Sequence, residues 1–211
     1  MVDIARTACE REIRIVTHML DLSRLRAGTP LRMRANGSID DVLGSAVAEE
    51  QAEAKARKVR IELEKVGTAA RTALDETSLE RAFANLVRNA VSVSKPGQVV
   101  RVIRTIEHHG ERSEAVVKVC DEGPGVPSEV RETLFHPFVT VSVHGSPKAV
   151  GIGLGLALSR EVARAHGGDV ELAPEGERGA CFVVRLPLNA RASAPPPPGA
   201  GVALAMLGGL R

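Results

Sequence analysis

The chain has 211 residues, enough for one medium domain and an appendage but too few for two full domains. Hydrophobic residues at 44% and charged residues at 26% exclude disorder along most of its length, and a net charge of +2 without a dense basic block excludes a phosphate-backbone or membrane-surface patch. With no Trp or Tyr and only Phe83, Phe135, Phe138 and Phe182, stacking platforms for nucleic acid are excluded too, and the core must be aliphatic.

Residues 3–27 place Ile13, Ile15, Val16, Met19, Leu20, Leu22 and Leu25 at mixed three- and four-residue spacings, the period of a helix, with Gly28 and Pro30 as its stop. These positions cover about half of the helical circumference, wider than one contact face needs. The helix is expected to join a bundle with a second copy of itself or with a segment outside this chain. After an extended piece at 31–35, Ser38 stands as an N-cap before Asp40 and Asp41 and opens a helix to about Lys58. The alternation over 59–64 reads as a half-buried strand. Asp75 leads into a helix from about Ser78 to Val93, closed by Lys95, Pro96 and Gly97.

Strands over 98–107 and 114–120 flank a polar turn at 108–112, an antiparallel hairpin signal. A Gly- and Pro-punctuated stretch over 121–152 leads to a helix over 154–165, stopped by Gly167 and Gly168, and then to strands over 169–172 and 180–186. From Asn189 the composition turns to Ala, Pro and Gly, which predicts a disordered tail. Helices interleaved with strands around an antiparallel pair indicate an α/β sandwich, a mixed sheet with its helices on one face. The first residues lack the apolar core of a signal peptide, and the run over 201–210 is far short of the roughly 20 residues of a membrane span. Cys9, Cys120 and Cys181 are odd in number and widely spaced, so they read as free, buried thiols in a reducing cytoplasm.

Three motifs carry possible chemistry. On the 78–93 helix, Ala82, Phe83, Leu86, Val87 and Ala90 form a packing face, and Asn85, Arg88, Asn89 and Ser92 form another. Two Asn residues one turn apart suit a hydrated Mg²⁺ bridging phosphates, or are simply a solvated face. Asp121, Gly123 and Gly125 follow an apolar strand, where a carboxylate beside flexible backbone can accept a hydrogen bond from the exocyclic amine of adenine. The same residues also suit a tight turn. Gly151, Gly153 and Gly155 open a helix and expose N–H groups to a polyphosphate, or make an ordinary flexible loop. The pattern is neither the dinucleotide fingerprint nor a Walker loop, since Leu156 holds the sixth position and no Gly-Lys-Ser/Thr follows.

Taken in order, the paired Asn residues, the Asp-Gly-Gly turn, Phe135 and Phe138, and the glycine-opened helix resemble the ATP-binding domain of the sensor histidine kinases of two-component systems. These kinases share a superfamily with gyrase, Hsp90 and MutL. Asn85 and Asn89 match the N box, Asp121, Gly123 and Gly125 the first glycine box, Phe135 and Phe138 the F box, and Gly151, Gly153 and Gly155 the second glycine box. The first helix is similar to the second helix of the family's dimerisation and phosphotransfer hairpin. The resemblance implies a two-layer α/β sandwich of the Bergerat ATP-binding type. It divides the chain into a hairpin helix (1–28), a linker (29–37), the ATP-binding domain (38–189) and a tail (190–211).

It further implies a cytoplasmic protein histidine kinase with ATP and Mg²⁺ as cofactors. Asn89, with Asn85, would hold the metal, and Asp121 would read adenine beside Gly123 and Gly125. Gly151, Gly153, Leu154 and Gly155 would wrap the phosphates under a lid at 140–150. Implied partners are a response regulator, a His-bearing hairpin and a second copy through the first helix, with no nucleic acid and no membrane span. The family's phosphoacceptor segment is absent, and none of His18, His108, His109, His136, His144 and His166 replaces it, so the acceptor His is expected from another segment or chain. Ser92 and Val93 stand where many family members carry Lys and an aromatic residue, leaving Lys95 or Arg88 as substitute charges. Asn85 also stands where the superfamily's ATPases place a general-base Glu, so hydrolysis should be poor. A non-catalytic module that engages a full-length kinase or a response regulator is the alternative.

Overall fold

The computed structural model describes residues 2–110, 112–140, 153–174 and 178–188. The expected disordered tail lies outside them, as do Gly151 and all of the expected lid but Thr140. Helix α1 (Val2–Arg26) is followed by β1 (Arg34–Ser38), α2 (Ile39–Ala56), β2 (Arg60–Lys65), β3 (Arg71–Leu74) and α3 (Glu76–Val93). Strands β4 (Val99–His109) and β5 (Arg112–Cys120), helix α4 (Gly155–Ala165) and strands β6 (Asp169–Leu172) and β7 (Cys181–Pro187) complete the order. A five-stranded sheet runs β2-β4-β5-β7-β6, parallel between β2 and β4 and antiparallel elsewhere. The hairpin strands run two residues further toward the turn than alternation suggested, up to the His109–Arg112 pair.

Side chains that decide the packing alternate along the strands. Val100 and Val102 on β4, Val117 and Val119 on β5, and Val184 and Leu186 on β7 point into one core. They meet Leu43 of α2, Phe83, Leu86 and Val87 of α3, and Leu158 and Val162 of α4. Ser38 caps α2 by accepting from Asp41 N at 3.2 Å, and Asp75 caps α3 by accepting from Ser78 N at 3.0 Å. Because Asp75 is the cap, α3 starts two residues before the expected Ser78.

Three features depart from the sequence expectations. A separate two-stranded sheet joins β1 to β3, and β3 is too short to have shown a period. Cys120 and Cys181, read as free thiols, are directly opposed on β5 and β7 and joined by a disulfide, while Cys9 is exposed rather than buried. Proximity across a sheet brings together cysteines 61 residues apart, which spacing along the chain does not reveal. Finally, part of the wide apolar arc of α1 is used within the chain: Leu22 is buried, and Ile15 and Leu25 pack on the same core. Ile13, Val16, Met19 and Leu20 on the other side of that arc stay exposed.

Candidate functional site

The site is built along α3. Asn85 projects from it beneath the start of α4, where a methyl group at Gly155 would lie 3.6 Å from the Asn85 side-chain carbon. Ser159 fixes this crossing by donating to Ala82 O and Gly155 O, both at 3.0 Å. Asn85 is only 4% exposed, so the solvated-face reading fails for it, and its Nδ2 has no hydrogen-bond partner among the described residues. Leu154, the N-cap of α4, offers no side-chain acceptor to the first-turn N–H groups. A buried amide donor and the positive end of a helix therefore share one place.

Arg88, between the two Asn residues, does not turn toward this place. It binds Glu50 and, at 3.0 Å, Glu49 on α2, with a longer contact from Nη1 to Asn85 Oδ1 at 3.4 Å. Burial pushes the Glu50 carboxyl up, against the pull of the Arg88 guanidinium. Arg88 is thus engaged by carboxylates, and Lys95 is exposed beyond the end of α3. Since a guanidinium only donates, it can meet the Asn85 amide only at the oxygen, which directs Nδ2 away from it. Asn89 is half-buried, and among the described residues its side chain makes no hydrogen bond. His18 of α1 lies near Arg88, and burial first, then Arg88 and Arg14, lowers its pKa to about 4.

The far end of α3 meets the first glycine turn, where a methyl at Gly123 would contact Val93 O at 3.1 Å. Eight residues of helix separate Val93 from Asn85, about 12 Å at 1.5 Å per residue. Here Asp121 is 6% exposed, and its Oδ1 accepts from Gly123 N at 2.8 Å and Ala180 N at 3.2 Å. Neither bond falls on Oδ2. Burial pushes this carboxyl up, and the two N–H groups partly oppose that shift. Gly179 completes the wall: its φ is +72°, and a methyl there would fall 1.8 Å from Asp121 O. In the sequence Gly179 and Ala180 stand only at the start of the closing strand, with no sign that they wall the Asp121 pocket; the observed strand begins one residue later, at Cys181.

The second glycine segment meets the Phe pair. Phe138 N donates to Gly153 O at 2.9 Å, and a methyl at Gly153, with φ +73°, would overlap Val139 O at 2.2 Å. Phe135 packs edge-on against Phe182, with Arg160 over its ring at 4.7 Å. His166 is a buried structural residue: Nδ1–H donates to Val162 O at 2.7 Å, and Nε2 accepts from Asp75 N at 2.9 Å. His108 of β4 bonds Ser113 of β5 across the exposed end of the hairpin, and His136 is exposed. The structure thus brings Asn85, Leu154 and Gly155 together at the middle of α3 and Asp121, Gly123 and Gly125 at its C-terminal end, with Asn89 on the helix between them.

Residues 74–190 match the family described as Histidine kinase-, DNA gyrase B-, and HSP90-like ATPase. The chain belongs to this family. Among relatives of this ATPase domain, the alginate biosynthesis sensor protein KinB of Pseudomonas aeruginosa is 30% identical over 189 residues, covering 88% of this chain and 30% of KinB. The sensor protein CutS of Streptomyces coelicolor is 33% identical over 181 residues, 85% of this chain and 42% of CutS. The chain therefore spans less than half the length of either relative. The histidine kinase AdeS of Acinetobacter baumannii shares the fold, with a TM-score of 0.69 at 21% identity over 89% of this chain and 84% of that one. Full-length ShkA, solved in complex with AMPPNP, superposes with a TM-score of 0.71 at 25% identity over 88% of this chain and 37% of ShkA. The expected two-layer ATP-binding fold of the histidine kinases is the fold observed. Among the described residues, no helix is long and apolar enough to cross a membrane.

Proposed function

We propose that this ATPase-family domain binds ATP with Mg²⁺ and transfers the γ-phosphoryl group to a histidine supplied by another segment or chain of a two-component sensor kinase. The carrying observation is Asn85, a buried amide beneath the start of α4 whose Nδ2 lacks an acceptor among the described residues. Such a donor costs stability. A phosphate oxygen is an acceptor that suits both this donor and the uncapped start of α4. Gly151, Gly153, Leu154 and Gly155 would surround the phosphates, and Gly123 and Gly125 would shape the base pocket. Asn89 would ligate Mg²⁺, which when bound neutralises charge on the phosphates.

At the other end, Asp121 would accept the adenine amine on Oδ2. Transfer breaks the P–O bond to the β-phosphate, forms a P–N bond to imidazole and releases the ring proton. Asn85 cannot take a proton from water, so hydrolysis should be slow. The remaining parts of the reading are a domain from 38 to 189, a dimer through the helix at 1–28, a response regulator as the downstream partner and a cytoplasmic setting. The exposed Ile13, Val16, Met19 and Leu20 support the dimer.

Titration of the chain with ATP and Mg²⁺ tests the reading, and Asp121→Asn should abolish binding. The two backbone donors would hold the new amide's oxygen at the Oδ1 position, turning its NH₂ against the adenine amine, donor facing donor. With γ-labelled ATP and a His-bearing hairpin, label should appear on the hairpin. Absence of nucleotide binding overturns the reading, and binding without label favours the non-catalytic module.

A further inference from the structure

We propose that Cys120 and Cys181 form a thiol–disulfide switch that sets the affinity of the adjoining adenine pocket, tighter when bridged and weaker when reduced. The inference rests on Asp121 being the adenine acceptor.

The bridge joins the last residue of β5 to the first residue of β7, which face each other in register. One residue beyond it, Asp121 N donates to Ala180 O at 2.9 Å, and Ala180 N donates to Asp121 Oδ1 at 3.2 Å. Asp121 therefore directly follows one bridged cysteine, and Ala180, one of the two N–H donors that hold its carboxylate, directly precedes the other; the second donor, Gly123 N, lies two residues beyond Asp121. Behind them, the β5–β7 ladder runs from Glu114–Pro187 to Cys120–Cys181, so the two strands stay paired whether or not the bridge is closed. The Asp121–Ala180 exchange lies at the open end of that ladder, where pairing is lost first. The bridge also closes a 61-residue span holding the Phe pair, the glycine segment, α4 and β6. Opening it frees that span from a constraint on the strand that carries Asp121.

The pair is also placed to react. Both cysteines are half-buried, and Cys181 lines a cavity of about 250 Å³ together with Arg131, Leu172, Pro174, Arg178 and Gly179. Two arginines among the lining residues give the cavity a basic character that suits an anionic small thiol such as glutathione. In the forward direction, a thiolate attacks one sulfur, the S–S bond breaks, and a second thiol resolves the mixed disulfide. Two electrons and two protons pass to the cysteines, and the reagent leaves as its own disulfide. Oxidised glutathione reverses the sequence. In a reducing cytoplasm the pair would rest open and close under oxidation.

The test uses the full chain carrying Cys9→Ser, which removes the exposed third thiol. ATP affinity is measured with Mg²⁺ by calorimetry after oxidised glutathione and after dithiothreitol, with thiol counting by mass spectrometry. Reduction should weaken binding roughly tenfold, within the usual range of coupling between two sites. By reciprocity, saturating ATP should lower the midpoint potential of the pair by about 30 mV, the equivalent of tenfold for two electrons. The double variant Cys120→Ala, Cys181→Ala should bind weakly under both conditions. Equal or tighter binding on reduction overturns the switch and leaves the Asp121 reading standing, as does failure of the bridge to form. Loss of far-UV strand signal on reduction would make the bridge a staple of the fold and also overturns it. No binding in either state removes both.

Discussion

Among the described residues Asn85 keeps a donor buried without an acceptor, and the change Asn85→Leu separates a structural use for it from a functional one. Replacing an unsatisfied amide by an apolar group of similar size should raise stability by about 1 kcal/mol in urea unfolding, since the desolvation cost disappears. ATP affinity should fall at least tenfold in the same protein, about 1.4 kcal/mol. Lower stability would show that the 3.4 Å contact from Arg88 matters more to the fold than the orphan Nδ2 does. Gly153 is the opposite case, fixed by space rather than by a polar group. Gly153→Ala places a methyl 2.2 Å from Val139 O at a φ of +73°, so the Phe138–Val139 backbone must move. A destabilisation of about 1 kcal/mol or more is expected in thermal unfolding, together with weaker ATP binding. Both residues were legible in the sequence as members of motifs. That Asn85 is buried was not, because its helical face also carries Arg88 and Ser92, and burial depends on α4 crossing over it.

Among the elements, α1 shows what periodicity reports and what it leaves open. Its seven apolar positions predicted a helix with a broad apolar arc, and a helix is what forms. The division of that arc depends on tertiary packing: Leu22 and Leu25 serve this chain's own core, whereas Val16 is 56% exposed and Leu20 is 52% exposed. Large apolar side chains grouped on one helix face mark a contact surface. Val16→Glu combined with Leu20→Glu should therefore shift the chain from dimer to monomer in sedimentation velocity, with ATP binding retained. An unchanged mass would remove the dimer from the proposal. The strands divide in the same way. β4 and β5 were legible because Val and Ile alternate over long runs, but the four residues of β3 hold no period and pair only with β1. Its register comes from partners far away in sequence.

At the scale of the whole molecule, buried polar groups tie the layers together at points that composition did not mark. Arg104 is 1% exposed in the sheet; it binds Asp40 of α2 at 2.8 and 3.0 Å and the carbonyls of Val66 and Thr68 at 2.7 and 2.8 Å. In the sequence it is one Arg in an alternating strand, indistinguishable from the exposed Arg101. His166 is a second tie, joining the end of α4 to the start of α3. Its ring is held neutral because Nε2 accepts from Asp75 N, and burial lowers its pKa from 6.5. His18, on α1, is lowered to about 4. A depressed folded pKa means that the unfolded chain binds more protons as acid is added. The contribution of the two rings is therefore present above pH 6.5 and lost as pH falls through their folded values, about 4 for His18. Glu50 and Asp121, raised by burial, act in the opposite sense, because their contribution declines as pH rises through their folded values. Comparing wild type with His18→Gln, His166→Gln by urea unfolding at pH 7.5 and pH 5 cancels the carboxylates and isolates the rings. The double variant should be less stable than wild type at pH 7.5 and should lose less of its stability on going to pH 5. Equal losses would mean that neither ring is held neutral by the fold, and the tie between α3 and α4 through Asp75 would have to be redrawn.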